Sequence, residues 1–344
     1  MTREIRVLVV DDSLVMRRLL TDLLEKEAGI TVIGTAKNGI EAVSKAAELQ
    51  PSVITMDIEM PMMDGLTALQ HIMAENPMPV VMLSAMNKRQ ADIVIKALEM
   101  GAIDFIPKTS GTISLDIEKA GESIVARIRE AAEIEVKCIK PKVPEKIVES
   151  DFKMPPIRDR VVAIGASTGG PKALLEVISS LPRDLPAAVL IVQHMPEGFT
   201  QSLAERLNWQ SSLEVKEAQD GDRVRPGLVF IAPGNRHMVI DGKHIRLTDG
   251  ARVNHVRPSV DVLMESVAVH YGPNALGVLM TGMGQDGAAG IKAIKRRGGR
   301  TIAQDESSCA VFGMPKAAIE LRSVDKVEPL DKIAQKIISM LRES

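Results

Sequence analysis

The sequence predicts an α/β protein with two domains, each built on a doubly wound parallel sheet. The 344 residues suit about two domains. In both halves of the chain, short apolar runs alternate with segments of helical period, which is the pattern of a parallel sheet covered by helices. A stretch rich in proline and charged residues separates the halves. We therefore predict domains at 1–138 and 159–344, joined by a linker at 139–158.

The first domain is predicted to contain five strands, each a short apolar run. These runs are Arg6–Val10, Thr31–Thr35, Ser52–Met56, Val80–Leu83 and Ile103–Ile106. Between the first two strands, Leu14–Glu27 has its leucines clustered on one side of a helix. A longer, charged helix is expected at Ser114–Val136. Strands that alternate with helices favour parallel pairing with helical crossovers.

The second domain follows the proline-rich linker and repeats the alternation. Its predicted strands are Val161–Ile164, Ala187–Val192, Val229–Ile231 and Leu276–Thr281. Proline favours the first position of a helix, and apolar periodicity marks the rest. Helices are accordingly predicted to begin at Pro171, Thr200, Pro258, Ala288 and Pro315. The pair Asp241-Gly242, between two short extended segments, predicts a β-hairpin.

The composition excludes several classes of protein. Lys and Arg number 43 and Asp and Glu 45, giving a net charge of -2, so we expect no nucleic-acid partner. Two cysteines, Cys138 and Cys309, cannot build a disulfide framework. Apolar runs fall short of the roughly 20 residues of a membrane helix, and the N-terminus lacks the order of a signal peptide. We expect a cytoplasmic protein without membrane insertion.

Acidic side chains follow two strands of the first domain. Asp11 and Asp12 come directly after the first strand, and Asp57 directly after the third. Carboxyl ends of parallel strands share one edge of a sheet, so these carboxylates are expected to crowd together and bind Mg²⁺. Ser84 and Lys108, at the ends of the fourth and fifth strands, add a hydroxyl and a cation. Such a set can accept a phosphoryl group, whereas a single Asp there more often caps a turn.

On these five residues, positions 1–110 resemble a two-component receiver domain, which has a flavodoxin-like fold. The resemblance implies that Asp57 is the phosphorylated residue. It also implies that Asp11, Asp12 and Asp57 together hold Mg²⁺.

The same resemblance implies a conformational switch. Ser84 would be the hydroxyl switch, Phe105 the aromatic switch and Lys108 the residue that pairs with the phosphate. Receivers usually have proline directly after this lysine, whereas here Thr109 follows it and Pro107 precedes it. This departure concerns the geometry of the loop rather than the chemistry of the site.

A serine lies in a glycine-rich turn at the start of the second domain. Gly165–Gly169 reads G-x-S-x-G, with a predicted strand before it and a helix from Pro171 after it. This is the setting of a nucleophile elbow, in which Ser167 is exposed on a sharp turn and helix amides stabilise an oxyanion. A loop that cradles a phosphate fits about as well, although neither common phosphate-loop pattern is matched. The motif alone leaves both interpretations open.

A histidine and an aspartate follow two further strands. His194 comes just after Ala187–Val192, and Asp286 lies in a glycine-rich turn after Leu276–Thr281. Either residue alone is more often structural. With Ser167 they occupy three strand ends, which favours a Ser-His-Asp triad, whose chain order varies between unrelated folds.

Three segments resemble the catalytic segments of the CheB family of chemotaxis receptor methylesterases, in which a receiver is fused to a Rossmann-like esterase domain. They are Ile164–Pro171, Val192–Pro196 and Met280–Gly287. The resemblance implies Ser167 as nucleophile, His194 as base and Asp286 as the residue that orients the base. It also implies that the amides of Thr168 and Met283 bind the oxyanion.

The resemblance further implies a reaction and its control. Glutamate methyl esters on methyl-accepting chemoreceptors would be hydrolysed for adaptation in chemotaxis, and the family can also deamidate receptor glutamines. A chemotaxis histidine kinase would be the phosphodonor, with Mg²⁺ at the receiver and no cofactor for the esterase. Phosphorylation would shift a receiver that covers the esterase cleft.

Three functions of other classes remain as alternatives. A transcriptional response regulator would need a compact basic DNA-binding domain, whereas 159–344 is long and not basic. A nucleotide-binding regulator would use the glycine-rich loop. A non-catalytic adaptor would not need the hydroxyl of Ser167.

Overall fold

The structure is a computed structural model. It describes residues 4–108, 113–134 and 160–343, with side chains from 121 onward in the second range. The predicted linker at 139–158, Thr109 and Cys138 lie outside the described residues. The chain forms two compact units, Met1–Lys142 and Val143–Ser344.

The first unit is a parallel sheet covered by helices. Its strands β1 to β5 are Ile5–Val10, Ile30–Ala36, Val53–Asp57, Val80–Ala85 and Asp104–Lys108. They pair in parallel in the order β2-β1-β3-β4-β5, which is the doubly wound, flavodoxin-like order. Its helices α1 to α5 are Leu14–Glu25, Gly39–Leu49, Gly65–Glu75, Lys88–Met100 and Ile113–Ala132. The five predicted strands are confirmed, and the long charged helix ends four residues earlier than predicted.

Polar residues start the first four of these helices. Each accepts a hydrogen bond, through its side chain, from the amide three residues further on, which satisfies one of the unpaired amides of the first turn. The four residues are Ser13, Asn38, Asp64 and Asn87. Ser13, Asn38 and Asn87 follow their strands within three residues, so three of the loops at the carboxyl edge of the sheet are short, whereas Asp64 ends a longer loop after β3.

The second unit has a seven-stranded parallel sheet. Its strands are Val161–Ala166 (β6), Ala188–Gln193 (β7), Glu214–Glu217 (β8), Leu228–Ile231 (β9), Ala275–Leu279 (β12), Arg300–Gln304 (β13) and Lys326–Glu328 (β14). They pair in the order β14-β13-β12-β6-β7-β9-β8. The helices are Gly170–Ser179 (α6), Phe199–Gln210 (α7), Val260–Tyr271 (α8), Ala288–Arg296 (α9), Met314–Glu320 (α10) and Leu330–Arg342 (α11). The predicted α/β class is therefore confirmed for both units.

The predicted hairpin is also confirmed. His237–Asp241 (β10) pairs in antiparallel fashion with His244–Thr248 (β11). The turn between them contains Gly242 at φ +63°, a conformation that suits glycine.

One predicted helix start is wrong, and several elements were not predicted. Helix α8 begins at Val260 rather than Pro258, because the Ser259 side chain accepts from the amide of Val262 and caps the helix there. Strands β8, β13 and β14 were missed because their sequences EVKE, RTIAQ and KVE contain few apolar residues. Helix α11 was also missed.

The order of the strands explains where the functional side chains meet. In the first unit, β1 lies between β2 and β3; in the second, β6 lies between β7 and β12. At each of these points the chain reverses the direction in which it adds strands, which opens a crevice at the carboxyl edge. Asp11 and Asp12 follow β1 and Asp57 ends β3, while the residues of the predicted triad come after β6, β7 and β12.

Candidate active site and phosphorylation site

Three carboxylates meet at the crevice of the first unit. One oxygen from each of Asp11, Asp12 and Asp57 lies within 4.8 Å of the others. Asp11 is fully buried and Asp57 nearly so, while Asp12 is exposed. Hard oxygen ligands with one open side suit Mg²⁺, which retains several waters when bound. The donor set therefore fits the predicted metal.

Lys108 binds two of these carboxylates. Its Nζ lies 2.8 Å from Asp11 Oδ2 and 2.8 Å from Asp57 Oδ1. Burial acts to lower the pKa of Lys108, but the two carboxylates outweigh burial and raise it. Burial raises the pKa of Asp57 to about 6, although Lys108 acts in the opposite direction. One lysine does not neutralise three carboxylates, so the crevice keeps an excess of negative charge that a cation would relieve.

The two predicted switch residues are both buried. Phe105 is 3% exposed and lies in β5. The Ser84 hydroxyl donates to Gln90 Oε1 at 3.1 Å and to the Ala85 carbonyl at 3.2 Å. Gln90, in the first turn of α4, was not singled out from the sequence, since a glutamine in a helix carries no motif. The structure thus ties the hydroxyl at the end of β4 to α4.

Strand register brings the serine and histidine of the second unit to the same edge. Ala166 and Gln193 pair at the ends of β6 and β7, and Ser167 and His194 are the next residues of each strand. The His194 amide donates to the Ala166 carbonyl at 3.1 Å. On the other side of β6, the Ser167 amide donates to the Thr281 carbonyl at 3.0 Å. The three predicted segments therefore converge.

Close packing requires glycine around the serine. Gly169 has φ +74°, and a Cβ at Gly170 would lie 1.9 Å from Gln193 Oε1. A Cβ at Gly282 would lie 2.7 Å from the Cβ of Ser167. These glycines permit contact with neighbouring side chains rather than the approach of a phosphate. The geometry therefore favours the nucleophile elbow over the phosphate loop.

His194 and Asp286 form a hydrogen-bonded pair. His194 Nε2 lies 2.8 Å from Asp286 Oδ2, and the Asp286 side chain is 3% exposed. Burial acts to raise the pKa of Asp286, but hydrogen bonds from His194, Ser259 and Asn254 lower it to about 2. Asp286 is therefore a carboxylate at neutral pH.

The pairing also assigns roles to the two nitrogens of the imidazole ring. Because Nε2 faces an ionised carboxylate, Nε2 carries the proton and Nδ1 has the lone pair. The hydrogen bonds among the described residues do not include one between the Ser167 hydroxyl and the His194 ring. Nδ1 is therefore the ring nitrogen that is not bonded to Asp286.

A buried polar chain supports the serine turn. The Thr281 hydroxyl donates to the Thr168 carbonyl at 2.9 Å and accepts from the Val311 amide at 3.0 Å. The amide of Thr281 donates to Gln304 Oε1 at 2.9 Å. Sequence reasoning did not find Gln304, because it ends a strand that was missed.

The two predicted oxyanion residues differ in exposure. Thr168 is 7% exposed, and its peptide is held through the bond from Thr281. Met283 is 49% exposed in the turn after β12. Their role as amide donors stays a prediction.

Cys309 lies near the same loops. Burial, with Asp305 next in importance, raises the pKa of its thiol to about 12. The nucleophilic form of cysteine is the thiolate, so the raised pKa disfavours that form at neutral pH. Among the described helices, none combines the length and apolarity that a bilayer span requires.

Comparisons with known proteins agree with this arrangement. The family model for the CheB methylesterase matches residues 162–337, and that for the response regulator receiver domain matches residues 7–117. A protein-glutamate methylesterase/protein-glutamine glutaminase of Archaeoglobus fulgidus is 49% identical over 344 residues, which cover 98% of each chain. One of the same name from Halalkalibacterium halodurans is 46% identical, covering 98% of this chain and 99% of the relative.

A solved structure resembles the second unit. The crystal structure of the Thermotoga maritima CheB methylesterase catalytic domain has a TM-score of 0.53 and 44% identity. It covers 54% of this chain and 100% of its own.

Proposed function

Because the chain belongs to the CheB methylesterase family and carries a response regulator receiver domain, we propose that it demethylates glutamate methyl esters of chemoreceptors under the control of phosphorylation. It is a protein-glutamate methylesterase. We propose its substrate protein, its role in adaptation during chemotaxis, the residues that act and the activation by phosphate. The observation that carries the site assignment is the 2.8 Å bond between His194 and the buried Asp286, next to Ser167.

We assign the nucleophile to Ser167. Its Oγ attacks the ester carbonyl carbon while His194 Nδ1 takes the hydroxyl proton. The tetrahedral intermediate then collapses, and the methoxy oxygen takes the proton from His194 and leaves as methanol. Water attacks the acyl-serine, gives one proton to His194 and releases the glutamate side chain, and Ser167 recovers its proton. The amides of Thr168 and Met283 would stabilise the oxyanion.

Asp286 acts through His194. It fixes the tautomer with the proton on Nε2 and stabilises the imidazolium that forms when Nδ1 takes the proton. Its low pKa keeps it charged throughout the cycle.

The same site suits glutamine deamidation. The acyl-serine is identical, and ammonia replaces methanol as the leaving group after His194 protonates the amide nitrogen. The glutaminase name of the two relatives supports this second reaction.

Asp57 is the proposed phosphorylation site of the receiver. Asp11, Asp12 and Asp57 would hold Mg²⁺, which would neutralise phosphoryl charge when bound. Lys108, already 2.8 Å from Asp57 Oδ1, would pair with the phosphate, and Ser84 and Phe105 would respond to it. Phosphorylation replaces the -1 charge of the Asp57 carboxylate by about -1.5 to -2 at pH 7, a net gain of about -0.5 to -1 beside Lys108. A chemotaxis histidine kinase is the proposed donor, and the cytoplasm the proposed location.

Methanol release from methylated receptor membranes tests the esterase assignment. We expect release by the wild-type protein and none above background by Ser167→Ala, because the nucleophile is absent. The removed hydroxyl is small, so the variant should keep the wild-type unfolding temperature. Turnover by Ser167→Ala at the wild-type rate would overturn the triad, and a wild-type protein that releases no methanol would overturn the proposed substrate.

A further inference from the structure

A second buried carboxylate lies beside Asp286 and outside the triad. Asp261, in the first turn of α8, is 7% exposed. The side-chain amide of Asn254 joins the two carboxylates, since Nδ2 donates to Asp261 Oδ2 at 2.9 Å and to Asp286 Oδ1 at 2.9 Å. Each proton of this amide thus has its own acceptor.

The two carboxylates cap each other's helices. Asp261 Oδ1 accepts from the amides of Gly287 and Gly290, at 2.9 Å and 2.7 Å, at the start of α9. Asp286, just before α9, accepts from the amide of Val260 at 2.6 Å at the start of α8. Capping satisfies amides that the first turn leaves unpaired, and the helix dipole favours a negative charge there. The position of Asp286 therefore depends on both helices.

The two oxygens of Asp286 have different tasks. Oδ2 accepts from His194 Nε2 and from the Val260 amide. Oδ1 accepts from the Ser259 hydroxyl at 2.7 Å, from Asn254 at 2.9 Å and, with a longer bond, from the Asp261 amide at 3.3 Å. Loss of the Asn254 bond would weaken the restraint on rotation of the carboxylate, and rotation would turn Oδ2 away from His194.

Asn254 lies in the loop between Ala251 and Ser259, which is held at both ends by hydrogen bonds. His237 holds both ends of this loop: Nε2 donates to the Ala251 carbonyl at 2.9 Å, and Nδ1 accepts from the Ser259 amide at 3.2 Å. Asn254 itself has φ +50°, in the left-handed region that asparagine tolerates better than most residues. The backbone geometry and the contacts of the amide therefore both specify asparagine.

We propose that Asn254 and Asp261 are positioning residues of the esterase, which hold Asp286 Oδ2 on the ring nitrogen of His194. Asn254 supplies hydrogen bonds without a charge, so it relieves repulsion between two buried carboxylates and fixes the distance between them. Asp261 fixes the start of α9, and with it the segment that carries Asp286. The kinetic test of this inference depends on the proposed function, whereas the spectroscopic test does not.

The decisive variant is Asn254→Gly, which removes the amide and keeps the left-handed backbone. His255→Gly is its matched control: His255 is the next residue, has φ +65° and is exposed. We expect kcat for methanol release to fall about tenfold to a hundredfold in Asn254→Gly, because bonds to a charged group are lost, with KM nearly unchanged. His255→Gly should stay within about twofold of the wild type. A wild-type kcat in Asn254→Gly, or a raised KM with unchanged kcat, would overturn the proposal.

A spectroscopic measurement separates this proposal from the proposed function. The ring proton between His194 Nε2 and Asp286 should give a low-field proton resonance in the full-length protein. We expect that resonance to shift or broaden in Asn254→Gly and in Asp261→Asn, and to stay in place in His255→Gly. The same resonance in all four proteins would refute the positioning role. If the wild-type protein releases no methanol, the proposed function fails, while this resonance still decides the role of Asn254 and Asp261.

Discussion

Asp286 links a buried hydrogen-bond network to stability at the scale of a single residue. Burial acts to raise its pKa, yet hydrogen bonds from His194, Ser259 and Asn254 lower it to about 2, compared with 3.8 for an ordinary aspartate. The Asp286 carboxylate therefore binds a proton more readily in the unfolded chain than in the folded protein. The resulting stability, roughly 2 kcal/mol, is present above about pH 4 and is lost as the pH falls toward 2.

This linkage predicts a difference between the wild type and Asp286→Asn. As the pH falls from about 5 to about 2, the unfolding free energy of both proteins should decrease because other carboxylates become protonated. The wild type should lose roughly 2 kcal/mol more than Asp286→Asn. Urea unfolding followed by far-ultraviolet circular dichroism measures this difference. At neutral pH, kcat of Asp286→Asn should fall on the order of 10⁴-fold, because asparagine cannot maintain the correct tautomer. Equal pH dependence in both proteins would contradict the assignment of the low pKa to Asp286.

The sequence drew attention to residues that follow strands and not to residues in irregular loops. Ser167, His194 and Asp286 were predicted because each follows an apolar run, and strands of a parallel sheet end at a common edge. Asn254 lies in a polar loop between a hairpin and a helix, so neither periodicity nor a motif marks it. Its contacts to Asp261 and Asp286 depend on tertiary packing alone.

Gly170 shows how an element depends on one close approach. It begins α6, and a Cβ there would lie 1.9 Å from Gln193 Oε1 and 2.9 Å from the Cβ of Ala166. Gln193 Nε2 also donates to the Ser167 carbonyl at 2.9 Å. A side chain at 170 would therefore displace the group that holds the serine turn.

We accordingly expect Gly170→Ala to destabilise the second unit by about 1–3 kcal/mol, as overpacking of a core does, and to lower kcat. Gly250→Ala is the control, since the nearest atom to its added Cβ would lie 3.6 Å away. Urea midpoints and methanol release of the two variants measure both effects. If the two substitutions have equal effects, the contact with Gln193 is not what constrains α6.

At the scale of elements, the predictions succeeded where a strand is a continuous apolar run and failed where its sequence contains few apolar residues, as in the internal strand β13. Central strands such as β6 and β7 are buried on both faces and read as continuous apolar runs. The terminal strands β8 and β14 have exposed positions, so EVKE and KVE are compatible with pairing and carry little apolar signal. Helix α11 is different: its buried residues recur at helical spacing, so the sequence does contain the signal for it.

At the scale of the whole molecule, the two units were predicted from the change in composition between them. The family models match one unit each, at 7–117 and 162–337, which agrees with a receiver followed by an esterase. The domain limits at 138 and 159 stay predictions, because the linker lies outside the described residues. Regulation requires that a change at Asp57 alter turnover at Ser167, so the test must use the full chain.

Asp57→Asn is expected to separate basal from stimulated activity. With Mg²⁺ and acetyl phosphate, the wild type should release methanol about 5- to 150-fold faster, the common range of allosteric coupling, whereas Asp57→Asn should keep the basal rate. Chelation of divalent cations should abolish the stimulation, since Asp11, Asp12 and Asp57 would lack the cation that balances their charge. Basal turnover should persist, because Ser167 and its partners supply the esterase chemistry.

Asp64→Asn provides the matched control for this prediction. Asp64 lies in the loop after β3 and caps α3 through its side chain, a task that asparagine performs equally well. The same loss of charge should therefore leave stimulation intact. Stimulation that survives in Asp57→Asn would refute the phosphorylation site, and stimulation that survives chelation would refute the metal. Loss of stimulation in Asp64→Asn as well would mean that the charge of this edge, rather than a phosphate on Asp57, controls the esterase.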